Sequence, residues 1–418
     1  MKREKLGEII SISKGRKHSI TYVKSTYAKR IIGIADLRND HDVVYTNDKI
    51  GTEVTPEDIL IAWDGANSGT IGFGKKGLIG STIARLRFKE EGKYDTNFIG
   101  IFLKTQFDYL RKTATGATIP HVSRSALESI YIPNFNKDDQ IRISTLLSRV
   151  EALIANRKDN LRLLDEFLKS TFLEMFGDSV VGQKGYKFAL LDTFITHLTS
   201  GGRGWAKYYA ETGKRFIRSL DVQMNKIGNE DIVFVRPPKN QETERTRVQE
   251  NDVLLTITGS KIGRVAYVPG NFEEAYISQH VSIIRTKEIN PIYLSYYLSM
   301  QNAGQRVIKK MQYGQAKPGL NLTQIREFPI LTPPINLQNK FAFIIKRVES
   351  LKTLYQQNLS QLNNLYGILS QKAFKGELDL SRIPLPTITA DNHITASLPS
   401  IRGEAVTGEA MLSSAGKA

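Results

Sequence analysis

From residue 143 onward, apolar side chains recur at alternating intervals of four and three. The rungs are Ile143, Leu147, Val150, Ile154, Leu161, Leu164, Leu168 and Met175, with Arg157 and Thr171 at two further rungs. The same ladder returns 198 residues later at every rung, as Phe341, Ile345, Val348, Tyr355, Leu359, Leu362, Tyr366, Leu369 and Ala373, interrupted by Lys352 alone. RVEAL at 149–153 reappears as RVESL at 347–351. This alternation keeps one narrow stripe facing a partner helix over many turns. Two equivalent helices of roughly 36 residues, about 54 Å each, are therefore predicted, and each is the obvious partner of the other. Arg157 and Lys352 suit a role in fixing helix register, as polar residues on such a seam do.

The repeat extends beyond the helices. Each half opens on a short apolar segment (LGEIISI at 6–12, LLDTFIT at 190–196), followed by a strand-like run behind an acidic turn, PEDILIAWDG at 56–65 and ENDVLLTITG at 250–259. Gly-rich turns follow (GANSGTIG at 65–72, GSKIG at 259–263), then second strand-like runs at 81–88 and 280–286 and helical stretches at 97–113 and 291–311. A polar Gly/Pro loop closes each half, at 115–127 and 313–325. The matching is firm from about residue 56 and weak before it. The expected fold is α+β, with two globular α/β domains at 1–136 and 179–335. Two long helices at 137–178 and 336–380 join them, paired as an antiparallel coiled coil with a pseudo-two-fold internal repeat. Residues 381–418 are Ser/Thr/Ala/Gly-rich without periodicity and read as a flexible tail. A duplicated scaffold with divergent loops suggests one job performed twice on different targets.

Charge adds the nature of the target. The net charge of +16 is unevenly spread, with surpluses of +6 over residues 1–136 and +8 over 179–335, against −1 and +3 on the helices and 0 on the tail. Two basic surpluses in equivalent places favour two polyanion-binding domains over a generally solvated surface. No apolar run is long enough to cross a bilayer, and MKREKLGEII lacks a signal-peptide core, so the chain reads as cytoplasmic. The absence of cysteine excludes disulfides, thiolate metal sites and a cysteine nucleophile, and the six histidines are scattered.

Reactive constellations are poorly represented. GTIGFGKK at 69–76 fits GxxxxGK but puts Lys76 where the Mg²⁺-binding Ser/Thr of a phosphate loop belongs, so a plain glycine turn is preferred. The Pro-Pro pairs RPPK at 236–239 and TPPI at 332–335 lack the preceding amide or carboxylate and the following aromatic that adenine methyltransfer needs. Asp58 and Asp64 flank one strand and Asp252 matches Asp58, but Asp64 corresponds to Thr258, which suits turn carboxylates better than a Mg²⁺ site. No metal site or catalytic residue is expected.

The MFGD ending of the first helix (175–178) and AFKGEL of the second (373–378), with LGEI at 6–9, DG…GTIG at 64–72 and a GxxxPxL-like loop at 314–320, resemble the specificity subunits of type I restriction-modification systems. The resemblance covers roughly residues 1–380 and rests on the order and double occurrence of these short motifs. It implies a non-catalytic reader of double-stranded DNA with two target recognition domains, each binding one block of a bipartite site. The paired helices would act as spacer and dock two methyltransferase subunits that use S-adenosylmethionine to methylate adenine at N6. Restriction subunits using ATP and Mg²⁺ would join them, with no cofactor in this chain. A structural coiled-coil scaffold with basic protein-binding domains, or a specificity module of another restriction-modification class, is the alternative.

Under that reading the first domain's DNA-facing candidates are Lys14, Arg16 and Lys17, then Asn67 and Ser68 in the glycine turn, Lys75 and Lys76. Arg111, Lys112, Thr118, His121, Ser123 and Arg124 complete them. In the second domain they are Arg203, Trp205, Lys207 and Tyr208, then Ser260, Lys261, Arg264, Gln279 and His280. Lys309, Lys310, Gln312, Gln315, Lys317 and Asn321 follow. Arg124, Asn67, Gln312, Gln315 and Asn321 are of the types that make bidentate base contacts. Trp205 is equally suited to core packing.

Overall fold

The computed structural model describes residues 2–38, 40, 42–116, 118–177, 184–312 and 319–386. It divides into two compact units, Met1–Asn156 with Leu359–Ala418, and Arg157–Asn358.

In the first unit a four-stranded antiparallel sheet runs in the order Ile10–Lys14, Ile83–Phe88, Ile59–Ala62, Ile71–Phe73. Ile59–Ala62 is buried along its whole length, as its unbroken apolar run requires. A second sheet orders Val44–Thr46, Lys29–Ile32, Gly77–Ile79 and Glu53–Val54, with one parallel pair. The helix Thr96–Thr105 packs on the first sheet and starts where the Asp95 side chain accepts from the Phe98 N–H (2.7 Å). The stretch expected as one helix over 97–113 breaks at Gln106, and Phe107–Lys112 forms a separate helix.

The second unit repeats this plan. Its main sheet runs Ile195–Ser200, Val281–Thr286, Val253–Thr256, Val265–Tyr267, the same strand order. Its helix Pro291–Ser299 is capped by the Asn290 side chain and carries Pro291 in its first turn, where the missing N–H costs nothing. Here too the expected helix over 291–311 is interrupted, and Gly304–Gln312 forms its second part. Gly304 lies so close to Leu298 that a Cβ would sit 2.3 Å from its Cα. Structure carries the equivalence back past the weakly matching N-terminal region, since Leu6 donates its N–H to the Ile130 carbonyl (2.8 Å) as Leu191 does to that of Phe328 (2.8 Å).

The acidic turns before the central strands prove structural. Asp58 caps its own turn, accepting from the Thr55 N–H (2.9 Å), and takes both Nε and Nη2 of Arg87 (2.7 and 2.6 Å). Asp252 repeats the arrangement with the Gln249 N–H (2.7 Å) and Arg285 (2.7 and 2.9 Å). Both carboxylates are buried, so the bidentate guanidinium offsets their desolvation.

The long helices span Lys137–Phe176 and Ile335–Lys375. Both end before a left-handed glycine, Gly177 (φ 78°) and Gly376 (φ 76°), which explains why the second stops short of residue 380. Within each unit their contacts run antiparallel. In the first unit the Tyr366 hydroxyl donates to Glu151 (2.7 Å), and Ile143 and Leu147 share a core with Leu369, Ala373 and Phe374. In the second, Phe341 packs edge-on against Phe172 and Phe176, Lys352 pairs with Asp165 (2.9 Å), and the Arg157 guanidinium lies 4.2 Å from the Tyr355 ring centre. A fully buried rung such as Leu147 or Phe341 contributes about 2 kcal/mol. Burial opposes the charge on Lys352, yet its bonds to Glu349 and Asp165 leave the ammonium above its ordinary value.

A buried glutamine ties the foot of each long helix to its domain. Gln140 Oε1 accepts from the Asp95 N–H (2.8 Å) while its Nε2 donates to the Phe135 carbonyl (2.9 Å). Gln338 makes the same pair with Asn290 and Pro333 (2.9 and 2.8 Å). Gln338→Ala leaves a backbone donor and acceptor unmet and is expected to destabilise the second unit by about 2 kcal/mol. Thermal denaturation followed by circular dichroism measures this, and a melting curve identical to wild type would refute the role.

Candidate nucleic-acid interface

Both glycine turns have the same backbone. Gly65 and Gly69 take φ of 94° and 90°, and Gly259 and Gly263 take 91° and 88°, values open to glycine at little cost. The Gly69 N–H returns to the Ala62 carbonyl (2.8 Å) and that of Gly263 to Thr256 (2.9 Å). A side chain from the following helices clasps each turn: Arg111 Nη1 donates to the Ala66 carbonyl (2.8 Å), and Gln305 Nε2 to that of Gly263 (2.8 Å).

In the first half the turn gathers candidates from three distant segments. Asp64 accepts from Lys14 Nζ (3.2 Å) and lies 2.6 Å from His121 Nδ1. Lys14 also sits over the Trp63 ring, 5.5 Å from its centre. The loop carrying His121 closes on itself by paired backbone bonds between Thr115 and His121, which puts Thr118 within a short exposed loop. Asn67 Oδ1 accepts from Arg38 Nη2 (2.8 Å), a partner that nothing in the residue spacing announces. Lys75 pairs with Asp40 (2.8 Å), and the bonds from Lys75 and Arg30 hold that carboxyl below its usual range. Arg16, Lys17, Lys76 and Lys112 are exposed. Arg124 is exposed and bonded to Glu128 (2.8 Å).

In the second half Thr258 stands where Asp64 does, and its Oγ1 lies 2.5 Å from His280 Nδ1. The two histidines are not equivalent by position. Thr258 is bridged to Gly319 as Asp64 is to His121, while the Ile257 N–H bonds the His280 carbonyl as that of Trp63 bonds Thr82. Histidine thus reaches the same point of the turn from two different segments. Arg203, Lys207, Ser260, Gln279, Lys309 and Lys310 are exposed, with Lys207 over the Tyr208 ring; Lys261, Arg264 and Gln312 are partly exposed. Gln315 and Lys317 lie outside the described residues.

Two candidates are corrected. Trp205 is 4% exposed, stacked on Phe216 (5.2 Å) and donating its indole N–H to Glu242 (2.9 Å), so its ring belongs to the core. Ser68 is 1% exposed, its N–H closing the turn on the Gly65 carbonyl (2.9 Å) and its Oγ receiving Arg111. Its counterpart is the inward-packed Ile262, which marks the position as a core-facing one. Ser123 and Asn321 occupy equivalent helix N-caps, accepting from the Ala126 and Gln324 N–H groups. Among the described residues no cluster of three His, Cys, Asp or Glu could hold a metal ion, and no helix is long and apolar enough to cross a membrane.

The duplicated architecture has a counterpart among known families. The model of the type I restriction modification DNA specificity domain matches residues 1–163 and again 208–364. The chain belongs to this family. Among its relatives are the specificity subunit of the type I restriction enzyme MjaVIII from Methanocaldococcus jannaschii and that of EcoBI from Escherichia coli. The first is 23% identical over 384 residues, covering 86% of this chain and 88% of the relative. The second is 23% identical over 412 residues, covering 90% and 85%. The fold resembles the crystal structure of the type I system S subunit from M. genitalium, with a TM-score of 0.60, 18% identity and coverage of 89% of this chain and 96% of that one. A type I specificity subunit is the non-catalytic member of its system, and the site is accordingly one of contact rather than reaction.

Because no atom lies within 4 Å of a Cβ built on Gly65, its substitution isolates the backbone requirement of the turn. Gly65→Ala is expected to cost about 1–2 kcal/mol from its left-handed φ alone, and Gly65→Asn less. Thermal melts that rank alanine above asparagine would contradict the account.

Proposed function

We propose that the chain recognises a bipartite site on double-stranded DNA, each half reading one block, and directs methyltransferase and restriction subunits to it. The observation that carries this reading is the pair of glycine turns, alike in backbone and clasp but presenting Lys14, Asp64 and His121 in one half and Thr258 and His280 in the other. One scaffold with two contact sets reads two different blocks. Basic side chains such as Arg16, Lys17, Lys76 and Lys112, and Arg203, Lys309 and Lys310, contact phosphates and set register. Asn67, His121 and Arg124, and Lys261, His280 and Gln312, contribute base-edge contacts.

On this reading residues 1–136 and 179–335 are the recognition domains and the long helices pair as an antiparallel coiled coil that sets the gap. The helices also present exposed Leu153, Phe167, Leu351 and Leu365 beside the seam, apolar surface suited to docking two methyltransferase subunits. Those subunits bring S-adenosylmethionine for adenine N6 methylation, and restriction subunits bring ATP and Mg²⁺, all acting on DNA in the cytoplasm.

Selection of random duplexes by the assembled complex should yield two short fixed blocks separated by a constant gap, with affinity falling steeply as salt rises. Enrichment of a single continuous block, or of none, would overturn the reading. Inserting one heptad after Asn156 and another after Asn358 should lengthen the selected gap by about 3 base pairs, taking 1.5 Å per helical residue and 3.4 Å per base pair, and leave both blocks intact. A change in either block would show that the helices do more than space.

A further inference from the structure

The first half carries an exposed aromatic loop that the second lacks. Thr21 pairs with Tyr45 by backbone bonds in both directions (2.8 and 2.9 Å), as Ala210 pairs with Phe234 in the second half. From there to the next equivalent strand, beginning at Lys29 and Lys214, the first half inserts residues 22–28 where the second has only 211–213. The insertion reads Tyr-Val-Lys-Ser-Thr-Tyr-Ala against Glu-Thr-Gly.

The loop's base is firmly held. Asp48 accepts from the Ser19 N–H (3.1 Å) and Oγ (2.7 Å) and lies 3.2 Å from His18 Nδ1, with His18 itself buried. At its tip Tyr22 is 83% exposed, Val23 71% and Tyr27 89%, beside Ile20 at 62%. Large rings left in water on an anchored loop gain nothing for the fold and call for a partner.

Charge identifies the partner. Residues 14–30 contain Lys14, Arg16, Lys17, Lys24, Lys29 and Arg30 and no acid. Lys14, Lys29 and Arg30 are paired with Asp64, Glu53 and Asp36. Arg16, Lys17 and Lys24 have no ion-pair partner among the described residues. Free cations interleaved with exposed tyrosines match DNA, whose phosphates take the charges and whose base steps admit an inserted ring where the duplex kinks. The loop also leaves the sheet at Lys14, the residue that Asp64 holds beside His121.

Resting on the DNA-reading function above, we propose that residues 20–27 form an aromatic grip on duplex DNA flanking the block read by the first half. Tyr22 and Tyr27 bear on the bases, and Lys17 and Lys24 on the phosphates.

The full chain assembled with its methyltransferase subunits is titrated with the selected duplex at several salt concentrations. Tyr22→Ala/Tyr27→Ala should bind at least tenfold more weakly with an unchanged salt slope, and Tyr22→Phe/Tyr27→Phe should bind nearly as wild type. Lys17→Gln/Lys24→Gln should lower the slope of log affinity against log salt by about 2. Wild-type affinity in the double alanine variant, with wild type itself binding the site, would overturn the grip alone. Retained DNA affinity with loss of the methyltransferase subunits would reassign the loop to a protein partner. Failure of wild type to prefer any duplex would instead overturn the underlying function.

Discussion

A buried amide ties each globular domain to the foot of its long helix, beside the apolar core the two share. Gln140 and Gln338 use both ends of that group, one on the backbone of a domain-helix cap residue and one on the carbonyl just ahead of their own helix. Neither backbone group has an equally placed substitute, so a displacement of the domain would leave buried hydrogen-bonding groups unmet, which is costly in a dry interior. The Asp95 and Asn290 side chains meanwhile cap the domain helices that pack against the sheets. A chain of short contacts therefore runs from the foot of the long helix through the domain helix to the strand that follows each glycine turn.

The seam between the long helices shows how polar interruptions are made tolerable. Lys352 faces Asp165 and Arg157 covers Tyr355, so neither charge is left against bare apolar surface. In the first unit Tyr366 sits at a rung but carries its hydroxyl to Glu151, where burial and that bond both hold the phenol above its ordinary range. Each of these contacts joins one helix to the other at a defined pair of residues, and a slip by one turn would break it, leaving Lys352 only its own-helix partner Glu349. Apolar rungs supply attraction, while the polar ones select among sliding alternatives.

Much of this was legible because periodicity is a record of burial. Every rung of the ladder is buried or partly buried, and the repeated acidic turns become matching Asp–Arg pairs. The glycine turns were visible as residue type and spacing, and their left-handed backbone follows from both. What escaped depends on contacts between segments far apart in sequence. Nothing local tells that Ser68 points inward, since its position is revealed only by alignment with Ile262 in three dimensions. Trp205 by residue type alone suits either the core or a DNA face, and only Phe216 and Glu242 packed around it, both distant in sequence, assign its ring to the core. The N-terminal strands matched poorly in sequence because each half inserts there differently, and the aromatic loop lies in one such insertion.

The unequal origin of the two histidines bears on how such a molecule changes its target. His121 comes from the closing loop and His280 from the entry to a central strand, yet both meet the same residue of the glycine turn. The turn imposes the meeting point, and the segments around it are free to supply the partner. Asp64 can hold a cation as well as an imidazole, and does so with Lys14, whereas Thr258 offers a neutral hydroxyl. At this point of the turn the first half thus presents a carboxylate paired with a lysine and the second a hydroxyl, on the same backbone. Exchange of a few residues above a fixed turn alters the hydrogen-bond pattern the domain presents without touching the amide that seats it on its helix, which leaves the contact surface free to vary while the scaffold stays constant.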